Sequence, residues 1–182
     1  VALRIDERVV ENDFAFDDKA RLYVLTGPNR GGKSVITCAL GLAVAMAMLG
    51  MRVAARSLTV SPADAIFTHF PTGADDTIDK GRLGEECARL REILDDVTEN
   101  SLILLDESLS STGAYEASFI AAEVLAGLSL VGCRCLFSTH LHELAAELDN
   151  IAARTHGAPI DTLVAGIEGE GKRSFKIIRA KP

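Results

Sequence analysis

The stretch TGPNRGGKS at residues 26–34 joins three glycines to one lysine and one serine. It fits the pattern G-x-x-x-x-G-K-S, which runs from Gly27 to Gly32, Lys33 and Ser34. Glycines let backbone N–H groups approach an anion closely, and a helix that begins directly after them adds its positive end. Lys33 would neutralise the β- and γ-phosphates of a nucleotide, and the Ser34 hydroxyl would ligate Mg²⁺. The pattern therefore predicts that this glycine-rich loop binds phosphate.

Two acids and a histidine follow apolar runs further along the chain. SLILLDE ends in Asp106 and Glu107, and CRCLFST is followed by His140. Buried parallel strands deliver such residues to the carboxyl edge of the sheet, where ligands of open α/β sheets bind. Asp106 suits an outer contact to Mg²⁺, Glu107 suits a general base that polarises water, and His140 could orient that water or sense the γ-phosphate. The predicted chemistry has Lys33, Glu107 and His140 as catalytic residues and Ser34 and Asp106 as metal ligands.

Apolar runs alternate with helical periodicity and predict the elements that position these residues. The predicted strands lie near residues 22–25, 51–54, 65–70, 101–107 and 133–139. The first predicted helix begins directly after the loop and is about 15 residues long, and the other predicted helices cover 83–97, 114–128 and the segment HLHELAAEL. Residues 71–82 are expected to form a mobile loop, and residues 162–178 a β-hairpin. This alternation predicts an α/β fold with a mostly parallel central sheet flanked by helices and a peripheral antiparallel β portion.

Length and composition exclude several classes of protein. A chain of 182 residues with 48% hydrophobic residues suits one globular domain rather than a disordered segment. Its net charge of −7 is a poor electrostatic match to nucleic acid, so any DNA contact should come from a partner or from a region missing from this sequence. Four cysteines without zinc-site spacing favour buried, reduced thiols and a cytoplasmic location. The uncharged run at 35–51 falls short of the roughly 20 residues of a membrane span, which predicts a buried helix and no membrane.

The glycine-rich loop, the acid strand and the STH strand occur in that order, and together they resemble the ABC-type P-loop ATPases. More specifically, they resemble the ATPase domain of the MutS family of DNA mismatch repair proteins. Further similar pieces are Pro28-Asn29, the segment GMRVAARSLTVSPADAIFTHF at 50–70, Asp75-Asp76 ahead of Gly81-Arg82, and STHLHEL. The resemblance covers nearly the whole chain. It predicts a single domain, residues 1–182, from a divergent MutS-related branch. We expect this domain to be a C-terminal fragment of a longer protein, separated from its DNA-binding, clamp and terminal dimerising segments.

The resemblance also implies a mechanism with shared sites. ATP would lie between the glycine-rich loop of one subunit and the signature loop of the other, so that a homodimer hydrolyses ATP with Mg²⁺ while attached domains handle DNA. By position, the signature would be Gly81 and Arg82. The implied nucleotide-binding residues are Gly27, Pro28, Asn29, Arg30, Gly31, Gly32, Lys33, Ser34, Val35, Gly81 and Arg82.

Departures from the family pattern leave alternatives open. Leu83-Gly84-Glu85 stands where serine and threonine usually follow the signature, and Arg56 stands where the family has glutamine. One alternative is therefore a nucleotide-gated dimerisation switch with negligible turnover, although Glu107 would have little use in a pure switch. Another is a nucleotide-binding subunit of a different ABC-type system, such as a membrane transporter.

Overall fold

The computed structural model describes residues 10–70, 81–167 and 173–180, and of Arg82, His142, Ile167 and Arg173 it describes the backbone alone. Within these ranges the elements are β1 (Leu22–Thr26), α1 (Lys33–Met48), β2 (Ile66–His69), α2 (Arg82–Asp96), β3 (Leu102–Asp106), α3 (Ala114–Val131), β4 (Arg134–Ser138), α4 (His142–Thr155), β5 (Ile160–Ile167) and β6 (Arg173–Arg179).

The strands form one sheet in the order β2-β3-β4-β1-β5-β6. The pairs β2–β3, β3–β4, β4–β1 and β1–β5 are parallel, whereas β6 runs antiparallel to β5. The predicted α/β class, with a mostly parallel sheet and an antiparallel portion at its edge, is confirmed. Because the strands are parallel, the residues that follow β1, β3 and β4 all emerge at the same edge of the sheet.

Side chains alternate between the two faces of the sheet, as the pleat requires. Leu22 and Val24 join the larger apolar cluster, which α2, α3 and α4 cover. Tyr23 and Leu25 join the smaller cluster on the opposite face, where Val44 of α1 packs. The sheet is therefore buried on both sides, and this burial explains why its central strands are continuous apolar runs rather than alternating ones.

Two sequence predictions need correction, one about the strand at 51–54 and one about the burial of α1. The segment 51–54 forms no strand: α1 ends before Gly50, which has φ 68°, and the chain that follows is largely exposed. The helix α1 does form, but it is buried on one side only, with Val44 inside and Val35 60% exposed. The predicted hairpin is confirmed by β5 and β6. Its turn, and most of the predicted mobile loop at 71–82, lie outside the described residues.

The helix α3 is, within the described ranges, the one helix long and apolar enough by length and composition to cross a membrane. Half of it is buried inside the fold. Ala117, Ala121, Leu125 and Leu128 belong to the larger apolar cluster and lie against the sheet. Packing in the core therefore explains the apolar residues on the buried half of this helix.

Candidate functional site

The glycine-rich loop leaves the carboxyl end of β1 in a conformation that requires glycine. Gly27 has φ 135° and Gly32 has φ 90°, a range that L residues with side chains rarely adopt. A Cβ on Gly27 would stand 2.8 Å from the Cβ of Ala165, and a Cβ on Gly31 would stand 2.9 Å from the carbonyl oxygen of Pro28. Backbone geometry and close packing against β5 therefore explain the glycines of the loop.

Lys33 is the first residue of α1, and its side chain is buried beneath the loop. Its Nζ donates hydrogen bonds to the carbonyl oxygens of Gly27, at 3.0 Å, and Pro28, at 3.3 Å. The same Nζ lies 3.5 Å from Oε1 of Glu107. The ammonium group is thus held within the curve of the loop and next to the acid pair.

Glu107 joins the ends of three strands. Its carboxylate contacts Lys33 after β1, and its Oε2 lies 2.5 Å from Nδ1 of His140 after β4. Its backbone N–H donates to the carbonyl oxygen of Ser138 at 2.9 Å, and its φ of 49° is uncommon for a residue with a side chain. Positive φ values of this kind cluster at functional sites. A carboxylate held between an ammonium and an imidazole is arranged to accept or transfer a proton.

Asp106 directly precedes Glu107 and Ser34 directly follows Lys33, and both side chains carry oxygen atoms. Asp106 is buried and accepts a hydrogen bond from the Ser138 hydroxyl, whereas Ser34 is exposed directly after Lys33. A carboxylate and a hydroxyl are hard oxygen ligands that suit Mg²⁺, which is usually bound by one or two protein groups together with substrate phosphates. The described residues contain no group of three or more His, Cys, Asp or Glu side chains that could hold a metal alone. The donor set therefore fits a metal shared with a phosphate ligand.

The remaining predicted residues divide into two sets. Pro28, Asn29, Arg30 and Val35 lie in or beside the loop, and Arg30 has φ 61°. Gly81, with φ 121°, is exposed at the start of α2, and no described contact joins it to the loop. The side chain of Arg82 lies outside the described residues. The structure thus brings Lys33, Glu107 and His140 together, whereas the signature position remains a prediction.

Sequence analysis missed two polar pairs around the acids. Ser138 contacts Asp106 through its hydroxyl and Glu107 through its carbonyl oxygen, and the register that pairs Asp106 with Ser138 explains both contacts. His69, to which the sequence assigned no role, lies with Nδ1 2.7 Å from the hydroxyl of Ser108. The sequence could have pointed to Ser138, because this residue ends a buried strand beside the strand that carries the acids. The contact of His69 depends on the pairing of β2 with β3.

The fold and the site define an α/β protein with a parallel sheet whose charged residues converge beside a glycine-rich loop. Residues 23–161 match the family model of MutS domain V. The chain therefore belongs to the MutS family.

Similar proteins share this assignment. The protein named DNA mismatch repair protein MutS of Sorangium cellulosum (strain So ce56) is 35% identical over 185 residues, which cover 94% of this chain and 20% of that protein. The protein of the same name from Synechococcus sp. (strain CC9605) is 41% identical over 159 residues, 81% of this chain and 17% of that protein. That of Prochlorococcus marinus (strain MIT 9301) is 36% identical over 140 residues, 76% of this chain and 15% of that protein. The chain thus spans a fifth or less of the length of these relatives.

Proposed function

We propose that this domain binds ATP with Mg²⁺ and hydrolyses it, as a P-loop ATPase domain of ABC type. The observation that carries the proposal is the contact of Glu107 with both Lys33 and His140 beside a loop in which Gly27 and Gly31 leave no room for a Cβ. A structural ion pair alone would not need a closely packed glycine-rich loop beside it. A site that binds the phosphates of a nucleotide needs both the charged residues and the glycine-rich loop.

The proposed binding mode follows from the contacts of Lys33. Its ammonium donates to two carbonyl oxygens of the loop, and phosphate oxygens would replace these acceptors with charged ones. Hydrogen bonds to charged partners are roughly twice as strong as neutral ones. Ser34 and Asp106 would hold Mg²⁺, which supplies charge neutralisation for the phosphates. Gly32 and the start of α1 would offer backbone N–H groups.

The proposed chemical step uses Glu107 as the general base. Its carboxylate would accept a proton from water, which attacks the γ-phosphorus while the bond to the leaving ADP oxygen breaks. His140, 2.5 Å from that carboxylate, would keep it oriented toward the water. Lys33 would stabilise the charge on the transferred phosphoryl oxygens.

We further propose that two copies share their sites and that the cycle serves DNA mismatch repair in the cytoplasm. The support is the name borne by the relatives and the predicted signature at Gly81 and Arg82, on the exposed start of α2. With a net charge of −7, this domain would leave DNA contact to other regions. Dimer closure would then link nucleotide state to those regions.

The test is ATP turnover per chain over a wide range of protein concentration. Glu107→Gln should lose turnover by at least about 100-fold, the scale expected for a general base, and should retain ATP binding. Glu123→Gln is the matched control, because Glu123 lies on α3 and pairs there only with the exposed Arg154 among the described contacts. We expect its turnover to be unchanged.

Concentration separates the parts of the proposal. Turnover per chain that rises with concentration supports shared sites, whereas constant turnover contradicts them. Binding of ATP without turnover at any concentration would overturn hydrolysis and favour a nucleotide-gated switch. Absence of ATP binding by the wild-type domain would overturn the whole proposal.

A further inference from the structure

The turn that follows β3 holds two residues in the left-handed region of backbone conformation. Glu107 has φ 49° and Leu109 has φ 65°, although neither is glycine. Such a conformation is unfavourable for a residue with a side chain and persists only where the surrounding structure enforces it. The position of the Glu107 carboxylate therefore depends on the contacts that fix the turn directly after it.

Ser108, between these two residues, is fixed through its side chain. Its hydroxyl forms a hydrogen bond with Nδ1 of His69, at 2.7 Å. His69 is the last residue of β2, and only 6% of His69 and 4% of Ser108 are exposed. A hydrogen bond that is shielded from water is stronger than the same bond in solvent. The strand β2 thus holds the residue that directly follows the proposed general base.

Two other contacts hold the same turn less specifically. The side chain of Leu109 is buried in the larger apolar cluster, and such packing has no preferred direction. The hydroxyl of Ser111 donates to Oε2 of Glu86 on α2, at 3.2 Å, but this pair is exposed to solvent. Of these three contacts, the bond to His69 is therefore the one that is both buried and directional.

The burial of this pair limits the chemistry that it could perform. A serine activated by histidine is a common nucleophile, but its hydroxyl must then reach a substrate. The hydroxyl of Ser108 is buried and offers no such access. In addition, Nε2 of His69 has no hydrogen-bond partner among the described residues, so no third group orients the ring as in a catalytic triad. The contact of His69 with Ser108 therefore suits a positioning role.

We propose that His69 is a positioning residue that acts through Ser108 to hold the carboxylate of Glu107 in place. This inference rests on the proposed hydrolysis of ATP. No described contact joins His69 to the glycine-rich loop, so its loss should slow the chemical step and leave nucleotide binding unchanged. A misplacement of about 1 Å in a reacting group can lower a rate by about 100-fold. We therefore expect a loss of about 10- to 100-fold in kcat.

The test measures kcat for ATP on the whole chain and ATP affinity by isothermal titration calorimetry. His69→Ala and Ser108→Ala should each lower kcat as stated, and the double variant should lower it no further, because both remove the same bond. His69→Asn should restore most of kcat, since its amide can take the place of Nδ1. Thr68→Ala is the matched control: it shortens the neighbouring exposed side chain of β2 and should leave kcat unchanged. None of these variants should change the affinity for ATP.

A second comparison separates positioning of the base from a general effect on the fold. In Glu107→Gln there is no general base to position, so the addition of His69→Ala should not lower the residual turnover further. If His69→Ala lowers turnover by the same factor in this background as in the wild type, it acts by another route and the proposal is overturned.

Each other outcome is also decisive. If His69→Ala leaves kcat unchanged, or weakens ATP binding by as much as it lowers kcat, the positioning role is overturned while the ATPase stands. If His69→Ala fails to fold in urea-unfolding measurements, Ser108→Ala and His69→Asn decide, and equal kcat values for these two variants overturn the proposal. If the wild-type protein hydrolyses no ATP, the proposed function itself fails, and the positioning role fails with it.

Discussion

Arg134 is a buried cation at the opposite edge of the sheet from the site. It begins β4, is 9% exposed, and donates to three carbonyl oxygens: Ser61 at 2.9 Å, Pro62 at 3.3 Å and Asn100 at 2.5 Å. These carbonyls belong to the chain before β2 and the turn before β3. One guanidinium therefore fastens the amino-terminal ends of three neighbouring strands.

We predict that Arg134→Met lowers the free energy of unfolding by about 3 kcal/mol. Methionine retains the apolar stem but makes none of the three hydrogen bonds, each of which is worth about 1.5–3 kcal/mol with a charged donor. The sum is reduced because the substitution also removes the cost of burying the cation, and burial does lower the pKa of Arg134. For a chain of this size, about 3 kcal/mol corresponds to a fall in melting temperature of roughly 10 °C.

The assay is urea unfolding, with the midpoint and slope fitted for both proteins. Arg154→Met is the matched control, because Arg154 makes an ion pair with Glu123 in which the two side chains are 43% and 50% exposed. Exposed pairs contribute about 0–1 kcal/mol. A loss for Arg134→Met no larger than that of Arg154→Met would refute the reasoning. Nucleotide binding well below the melting temperature should be unaffected, since the site lies at the other edge.

Two further predictions concern titrating groups. Burial lowers the pKa of His69, so below the ordinary pKa of about 6.5 the unfolded chain takes up a proton that the folded chain does not bind. The free energy of unfolding should therefore fall as the pH drops below this value. His69→Gln, whose side chain can still bond Ser108, should lose this part of the pH dependence in urea unfolding. Burial raises the pKa of Cys133 to about 12 and that of Cys135 well above its usual value. In folded protein at pH 8, iodoacetamide should therefore label the exposed Cys38 first by mass spectrometry, and equal labelling of the two buried thiols would contradict the described packing.

Local pattern was sufficient for most elements of the fold. The uninterrupted apolar run that ends at Asp106 predicted β3, and the spacing of Leu90, Leu94 and Val97 predicted α2. The strand predicted at 51–54 was wrong, because a short apolar segment forms a strand only where a neighbouring strand offers hydrogen bonds. The left-handed backbone of Phe175 could not be predicted from the sequence either, because it depends on the hydrogen bonds of Asn12.

The sequence by itself determined which residues stand at the ends of strands and which local shapes the chain adopts. Glycine spacing predicts the loop, and the acids follow their strand directly, because these features depend on neighbours along the chain. Only the tertiary structure decided that β4 and β5 flank β1. That pairing places His140 and Lys33 around Glu107 on one side and Phe175 near Gly32 on the other. Pairing between distant strands is chosen by burial of both faces of the sheet, a property of the whole chain that no local window contains.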